Sequence, residues 1–150
     1  MKALLRALVL TVPFLAPAAI AGSGATPTER NRAIITDFAD RFYTRRDVAG
    51  AFERYVAPDY IQHNPGLVDG REAAVAALAP KFAAPDARFD VKRIIVDGDM
   101  AVIHLHGRTD PASAGGAVAD IYRLKDGKIV EHWDVIQPVP ASSRNPHPMF

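Results

Sequence analysis

The sequence predicts an α+β fold, in which a curved antiparallel sheet wraps on three N-terminal helices and encloses a central pocket. Up to about residue 82, hydrophobic residues recur at three- and four-residue spacing in three segments, as in amphipathic helices. From about Ala87 they alternate with polar residues, as in half-buried strands. Two Asp-Gly turns divide this second region, and helices segregated from antiparallel strands indicate an α+β domain. A sheet that curls over a helical layer leaves a pocket between the two.

Two helices are predicted before Pro58. Thr28 is expected to cap the first, which runs to about Arg46. Its apolar stripe consists of Ile34, Ile35, Phe38 and Phe42. Asp47 is expected to start a short second helix, which ends at Pro58 because the residue before a proline avoids helical backbone. The inward residues of this helix are Phe52, Tyr55 and Val56.

A short strand and a third helix follow. The segment DYIQHNP, residues 59–65, predicts a strand that stops at Asn64-Pro65, where Asn64 is expected to hold a turn. Residues 69–82 predict the third helix, since Asp69 and Glu72 have the spacing of a capping box. Its apolar face consists of Val75, Leu78 and Phe82.

The remaining strands form two hairpins. Residues 87–108 predict two strands joined at Asp97-Gly98-Asp99, and residues 117–137 predict two more that turn at Asp126-Gly127. Residues 138–150 contain four prolines without periodicity, so we expect a tail that lies along the surface.

Composition excludes several classes of function. The 150 residues carry a formal charge of +1 without a cluster of Lys or Arg, so no nucleic-acid partner is expected. The sequence contains no cysteine, which excludes disulfides, thiol catalysis and a lipoprotein signal. It also lacks the glycine-rich nucleotide motifs and the G-x-S-x-G motif of serine hydrolases.

The N-terminus predicts a secretory signal peptide over residues 1–21. Lys2 and Arg6 precede an apolar run, and Ala19-Ile20-Ala21 fits the small-x-small cleavage rule. An uncleaved anchor is the alternative, although Pro13 and Pro17 interrupt a membrane-spanning helix. The expected organisation is a linker at 22–27, one domain at 28–137 and the tail at 138–150. The mature protein is expected to be periplasmic or secreted and free of the membrane.

Two motifs carry a family resemblance. YIQHNPGLVDGREA, residues 60–73, followed by DIYRLKDGKIVEHWDVIQP, residues 120–138, resembles the SnoaL-like polyketide cyclases of the nuclear-transport-factor-2-like superfamily. The resemblance implies a cone-shaped fold with a deep apolar cavity, an aldol condensation that needs no cofactor, and a homodimer formed through the outer sheet face. It places the acid/base aspartate of the cyclases at Asp120. Similar epoxide hydrolases have pocket residues at the positions of His63, His104, His106 and Asp134, but their Arg-x-Asp pair is replaced here by His104-Leu105-His106.

Strand alternation gives independent support for Asp120. Asp120 and Tyr122 share one face of their strand, and Ile121 and Arg123 share the other. Because an unpaired arginine is costly to bury, Arg123 should face outward. Asp120 and Tyr122 are therefore predicted to face inward. A structural ion pair is the alternative role for Asp120.

The histidines leave several interpretations open. His104 and His106 are two residues apart on one strand, which suits either a metal site with His63 or Asp134 as the third ligand or a polar lining that orients a carbonyl group. A third possibility is one core histidine and one at the rim. His63 ends its strand and is expected at the pocket mouth. No metal is expected.

The segment EHWD, residues 131–134, places His132 and Asp134 on one face and Glu131 and Trp133 on the other. The family resemblance turns His132 and Asp134 into the cavity and leaves Trp133 on the outer face as an interface anchor. The pattern alone also permits the reverse.

These observations predict an exported, cofactor-free enzyme that performs acid/base chemistry, an aldol condensation or an isomerisation, on a small hydrophobic carbonyl compound. The expected catalytic residues are Asp120, His106 and Asp134. The expected substrate-binding residues are His63, His104, Tyr122 and His132. The alternatives are a non-catalytic envelope protein that binds a small apolar ligand and a His-x-His metal site.

Overall fold

The computed structural model describes residues 24–150, so the predicted signal peptide lies outside the described residues. The elements in chain order are α1 (Pro27–Ala39), a π-helix (Asp40–Thr44), α2 (Val48–Tyr55), β1 (Val56–Gln62), α3 (Arg71–Ala83), β2 (Arg88–Asp97), β3 (Met100–Arg108), β4 (Gly116–Lys125) and β5 (Lys128–Pro138). The predicted α+β fold is confirmed. Among the described residues, no helix has the length and apolar character needed to cross a membrane.

Two predicted helix caps are corrected. Thr26, not Thr28, caps α1, and it forms a reciprocal capping box with Glu29. Thr28 instead accepts a hydrogen bond from the backbone N–H of Gly98 at 3.1 Å. At the start of α3 the cap is Gly70, whose φ of 99° suits a residue without a side chain. Asp69 is not a cap because its carboxylate accepts the backbone N–H of Gln62 at 2.8 Å and so joins the start of α3 to β1.

The sheet has the order β1-β5-β4-β3-β2. The four strands β2 to β5 form the predicted antiparallel meander. The early strand β1 pairs parallel to β5, so the sheet is mixed rather than wholly antiparallel. A parallel pair needs a long crossover, and here the rest of the domain supplies it. The turn between β4 and β5 has positive φ at Asp126 (50°) and Gly127 (78°), which is the backbone of the tight hairpin turn that the sequence predicts.

The core lies between the helices and the concave face of the sheet. Its largest fully buried side chains are Tyr60, Phe38, Ile35, Ile103, Leu105, Ile129 and Val56. Phe38 is central, since its ring contacts those of Phe42, Phe52 and Tyr122 at centroid distances of 5.2, 6.0 and 5.4 Å. Full burial of such a side chain stabilises the fold by about 1.5–3 kcal/mol.

The first helix does not continue regularly to Arg46, as the sequence predicts. Over Asp40–Thr44 it widens into a π-helix, in which the N–H of Arg45 donates to the carbonyl of Asp40, five residues earlier, at 2.9 Å. Phe42 and Tyr43 lie on this wide turn, and both are buried. The turn therefore delivers two aromatic rings to the concave side of the sheet.

The tail follows β5 along the outer side of the sheet. The N–H of Val139 donates to the carbonyl of Gly115 at 2.9 Å. Phe150 stacks on the ring of His106 at a centroid distance of 4.2 Å, with the ammonium of Lys92 5.7 Å from its ring. These contacts place the tail on the face opposite the helices.

Candidate active site

A cavity of about 330 Å³ lies between the concave face of the sheet and the helices. This volume is typical of a site for a small molecule. Much of its wall is apolar, and this part includes Phe42, Phe52, Phe82, Phe89, Leu105 and Val118. The polar part of the wall consists of Tyr43, Tyr60, Gln62, Asn64, Asp120, Tyr122, His132 and Asp134, with Lys81, Arg108 and Thr109 also contributing.

Strand register arranges the sheet side of the cavity in three rows. Cross-strand partners on β3, β4 and β5 are Ala101–Tyr122–His132 in the first row, Ile103–Asp120–Asp134 in the second and Leu105–Val118–Ile136 in the third. The first row packs against the core, and the third lies nearest the open end, where Ile136 is 56% exposed. The second row places two carboxyl groups side by side, since cross-strand neighbours have Cβ atoms about 5 Å apart.

Asp120 faces inward with Tyr122, as predicted, and is only 8% exposed. Its Oδ1 lies 3.2 Å from His132 Nε2, and its Oδ2 accepts a short hydrogen bond from the hydroxyl of Tyr43. The prediction that Arg123 faces outward is also confirmed. Arg123 lies on the outer side, where its Nε donates to Glu131 Oε2 at 2.9 Å.

Gln62 determines which nitrogen of His132 carries a proton. Its Oε1 accepts the backbone N–H of Asn64 at 2.9 Å, and its Nε2 donates to the hydroxyl of Tyr60 at 3.3 Å. The same Oε1 lies 2.9 Å from His132 Nδ1, so Nδ1 must be the donor. His132 Nε2 is then left to face Asp120 Oδ1 at 3.2 Å. Its lone pair can accept a hydrogen bond from the carboxyl group when Asp120 takes up a proton.

Three buried tyrosines surround this pair, and one of them, Tyr43, donates a hydrogen bond to Asp120. Burial, and then the charge of Asp120, raises the pKa of Tyr43 and of Tyr122 well above the usual range. Burial, followed by the same charge, also raises the pKa of Tyr60. All three hydroxyls are therefore neutral at physiological pH. Since Tyr43 donates to Asp120, the 2.7 Å contact between the Tyr43 and Tyr122 oxygens has Tyr122 as its donor.

Asp134 faces the cavity with His132, as the family resemblance predicts, and is half-buried. Its Oδ2 accepts a hydrogen bond from Asn64 Nδ2 at 2.5 Å. Asn64 also holds the predicted turn, because its Oδ1 accepts the N–H of Gly66 at 2.8 Å. Asn64 thus belongs to the site as well as to the turn.

The placement of His104 and His106 in the pocket is wrong. The alternating set Ala101, Ile103 and Leu105 is buried, so both histidines lie on the outer face of β3. His104 Nδ1 lies 2.9 Å from Arg93 NH1, and His106 Nε2 donates to the carbonyl of Ala114 at 2.8 Å. Neither can contact a ligand that binds between the sheet and the helices.

The metal site suggested for these two histidines is wrong for the same reason. Asp134 lies on the opposite face of the sheet. His63 follows β1, and β5 and β4 separate β1 from β3. No third ligand from this set can reach them.

His63 does not lie at the pocket mouth as predicted. Its Nε2 lies 2.8 Å from Glu131 Oε1, and its ring stacks on Trp133 at a centroid distance of 4.6 Å. Trp133 is on the outer face, as the resemblance implies, and Arg123 lies 5.6 Å from its ring. His63 is therefore part of an outer cluster that we define as His63, Asp99, Arg123, Glu131 and Trp133.

Three site residues escaped the sequence-based prediction. Tyr43, Tyr60 and Gln62 contact the Asp120–His132 pair or its partners. For Gln62 a signal exists, because alternation on β1 places it on the same face as buried Tyr60 and opposite His63. Tyr43 directly follows the apolar stripe of the first helix, but its chemistry cannot be inferred from that position.

One group in the cavity has the donors for a metal ion. Asp120, His132 and Asp134 each offer one ligand atom, and these atoms lie within 4.8 Å of one another. Carboxylate and imidazole donors suit several divalent cations. In the described structure the same groups bond to Tyr43, Gln62 and Asn64, an arrangement that equally serves proton transfer.

A model of the SnoaL-like domain family matches residues 35–132. The matched region contains the polar cavity residues of β1 and β4, and it ends at His132 of β5. No curated protein matches the chain.

Several solved structures are similar to this chain. An NTF2-like protein of unknown function from Mesorhizobium loti has a TM-score of 0.64 and 24% identity, over 77% of this chain and 97% of that one. A candidate ketosteroid isomerase from Kribbella flavida has a TM-score of 0.64 and 17% identity, over 80% and 87%. A candidate SnoaL-like polyketide cyclase from Jannaschia sp. CCS1 has a TM-score of 0.55 and 22% identity, over 77% and 91%. At these identities the likeness is one of fold.

Proposed function

The chain belongs to the SnoaL-like domain family, and from this membership and the site we propose that it is a cofactor-free acid/base enzyme that acts on a small hydrophobic carbonyl compound. The observation that carries the proposal is the Asp120–His132 pair, whose Oδ1 and Nε2 atoms lie 3.2 Å apart in a largely apolar cavity. Buried carboxyl–imidazole pairs of this kind are suited to general acid/base catalysis.

The proposed step removes a proton from the carbon next to the substrate carbonyl. Asp120, held by Tyr43 and His132, is the base, and His132 stabilises the carboxyl group when it takes the proton. The negative charge moves to the carbonyl oxygen of the substrate, which then needs a donor. Tyr60 suits this role because its oxygen accepts Gln62 Nε2, which leaves its own hydrogen for the enolate.

Two outcomes follow from the same enolate. Return of the proton to a different carbon isomerises the substrate, and attack of the enolate carbon on a second carbonyl closes a ring. In either case Asp120 gives its proton back, to the new carbon in the isomerisation or to the alkoxide oxygen formed on ring closure, and the half-buried Asp134 lies beside it in the second row. The candidate isomerase and the candidate cyclase among the similar structures support this reaction class.

The test is exchange of substrate hydrogen for deuterium. We expect the protein to accelerate loss of the α-proton signals of 2-tetralone in D₂O, followed by NMR. Asp120→Asn keeps the shape of the side chain and removes the base, so exchange should slow by about 100-fold or more. The matched control is Glu53→Gln, an equivalent change at an exposed residue of α2, which should leave the rate unchanged.

Thermal melting of both variants separates catalysis from stability. An Asp120→Asn protein that melts early but exchanges normally would assign Asp120 a structural role and leave Asp134 as the base. Tight binding of 2-tetralone without exchange by the wild type would favour the non-catalytic binding protein instead. Near-stoichiometric metal in the purified protein, lost in Asp134→Asn, would replace the cofactor-free mechanism with a metal site.

A further inference from the structure

One carboxylate of the cavity has an oxygen that the protein leaves without a partner. Asp134 is half-buried and faces the cavity beside Asp120. Its Oδ2 accepts a hydrogen bond from the neutral amide of Asn64, but over residues 24–150 no group donates to its Oδ1. Over the same residues no lysine or arginine forms an ion pair with it. A carboxylate withdrawn from water without a cation is unfavourable, so a ligand is the expected partner.

Lys81 and Arg108 border the cavity but do not supply the missing charge. Lys81 is exposed on α3. Arg108 belongs to the outward alternating set of β3, together with His106, so its side chain leaves the sheet on the other face. The acidic side chains of Asp120 and Asp134, in contrast, face inward. The potential inside the cavity therefore favours a ligand of positive charge.

The polar groups around Asp134 define what such a ligand must offer. Both oxygens of Asp120 have protein partners, and the hydroxyl hydrogens of Tyr43 and Tyr122 are directed to Asp120 and Tyr43. Tyr60 keeps a hydroxyl hydrogen for the substrate carbonyl, as proposed above. Asp134 keeps Oδ1 for a donor. The cavity thus suits a molecule that carries both a carbonyl oxygen and a hydrogen-bond donor.

The aromatic part of the wall favours an organic cation over a metal ion. Phe42, Phe82 and Phe89 are stacked in series, with centroids 4.4 and 4.0 Å apart, and Phe52 also lines the cavity. These rings accommodate hydrocarbon surface and attract cations, but they cannot replace the oxygen ligands that a hydrated divalent ion would give up. An amine on an apolar skeleton satisfies both the carboxylate and the rings.

Resting on the proposed function, we infer that the substrate is an amino ketone whose protonated nitrogen binds Asp134, which makes Asp134 the residue that determines specificity. The carbon that loses its proton lies at Asp120. The ligand atoms of Asp120, His132 and Asp134 lie within 4.8 Å of one another, so the nitrogen is roughly one to three bonds from that carbon. A positive charge this close stabilises the enolate and so assists the proton abstraction.

The test compares 2-aminotetralin with 2-tetralol, which share a ring system and carry an ammonium or a hydroxyl group on the same carbon. Isothermal titration calorimetry is performed in buffer with EDTA, so that no divalent metal occupies the site. The amine should bind the wild type about tenfold more tightly than the alcohol, because hydrogen bonds between charged groups are stronger than those with one neutral partner.

Three variants assign this preference to one side chain. Asp134→Asn keeps the shape and removes the charge, so it should weaken the amine about tenfold and change the affinity for the alcohol by less than about twofold. Asp134→Glu keeps the charge and should retain most of the preference. Asp59→Asn, an equivalent change at an exposed residue of β1, is the matched control and should alter neither affinity.

Equal affinities of the wild type for the amine and the alcohol, or no binding of either, would overturn the inference without any variant. A preference that survives in folded Asp134→Asn protein would overturn the role of Asp134. Thermal melting shows whether each variant is folded, and Asp134→Ser replaces an unfolded Asp134→Asn with the same expectation.

Deuterium exchange of 2-tetralone, which contains no nitrogen, reports separately on the proposed function. Exchange by a protein that does not prefer the amine would leave the proposed function standing and overturn the amine site. A preference for the amine without exchange would support the amine site at Asp134 and overturn the proposed function.

Discussion

At the scale of single residues, the Asp120–His132 pair depends on Gln62. The backbone N–H of Asn64 can only donate, so the atom of the Gln62 amide that faces it must be the oxygen. Because the same oxygen faces His132 Nδ1, the imidazole carries a proton on that nitrogen. Nε2 is then left to face Asp120 Oδ1. Gln62 acts through His132 and is a positioning residue.

Gln62→Leu should slow α-proton exchange by about tenfold, since it removes the acceptor for Nδ1–H and frees the imidazole to rotate or change tautomer. Gln62→Glu keeps an acceptor oxygen and should retain most of the rate. ¹⁵N NMR of the imidazole provides a direct readout, because the Nδ1–H form should dominate in the wild type and lose its dominance in Gln62→Leu. Identical tautomers and rates in Gln62→Leu and the wild type would refute the assignment.

At the scale of elements, the outer face of the sheet has its own electrostatic centre. Glu131 on β5 accepts hydrogen bonds from His63, which follows β1, and from Arg123 on β4. The hydrogen bond from His63, and after it the one from Arg123, lowers the pKa of Glu131. The carboxylate therefore joins the parallel edge strand to the antiparallel meander.

Glu131→Gln should make stability less dependent on pH. A carboxyl group whose pKa is lowered on folding stabilises the folded state above its unfolded pKa, and this contribution disappears as pH falls through the folded pKa. The wild type should thus melt above Glu131→Gln at pH 7, with a gap that narrows below about pH 4.5. Glu53→Gln, at an exposed site, should show no such gap. A gap that widens in acid would contradict the lowered pKa.

The elements also show how far sequence reasoning extends. On β4 the sequence predicts which side chains face the core, because the cost of burying Arg123 decides between the two alternating sets. On β3 the sequence does not decide this, since both alternating sets begin with apolar residues. Met100 and Val102 precede the histidines on the outer set, and Ala101 and Ile103 lie on the inner one. The parallel pairing of β1 with β5 and the contact between Tyr43 and Asp120 join residues far apart in the chain, so local periodicity carries no trace of them.

At the scale of the whole molecule, the outer sheet face remains partly apolar. The register aligns Ile95, Val102, Ile121 and Trp133 across four strands, and Val135 on the same face is 63% exposed. An apolar face that includes a tryptophan suits a protein interface. This supports the homodimer that the family resemblance implies, as a proposal.

Sedimentation should detect a dimer of the wild type. Val135→Lys places a charge in the proposed interface, which should give a folded monomer, because an unpaired charge is costly to bury. Val68→Lys is the matched control, since Val68 is 70% exposed but lies between β1 and α3, and this variant should remain dimeric. A wild type that sediments as a monomer would exclude the interface.

The N-terminal segment, residues 1–21, has the pattern of a cleaved signal peptide, and we propose that the protein is exported. Expressed in a Gram-negative host, the full chain should appear in the periplasmic extract with Gly22 as its first residue, as N-terminal sequencing would show. Ala19→Arg should block this cleavage because the small residue before the cleavage site is lost. Cytoplasmic protein that retains Met1 would contradict export.

The π-helix at Asp40–Thr44 has a consequence for the ancestry of the site. It contains one residue more than a regular turn, and each α-helical residue rotates the chain by about 100°. Loss of that one codon would leave a regular helix but turn the Tyr43 hydroxyl away from Asp120. The contact between Tyr43 and Asp120 therefore depends on the additional residue. We expect relatives whose sequence is one residue shorter at the π-helix to place a side chain other than tyrosine against the residue equivalent to Asp120. A one-residue gap at this position would therefore identify relatives whose active sites differ from this one.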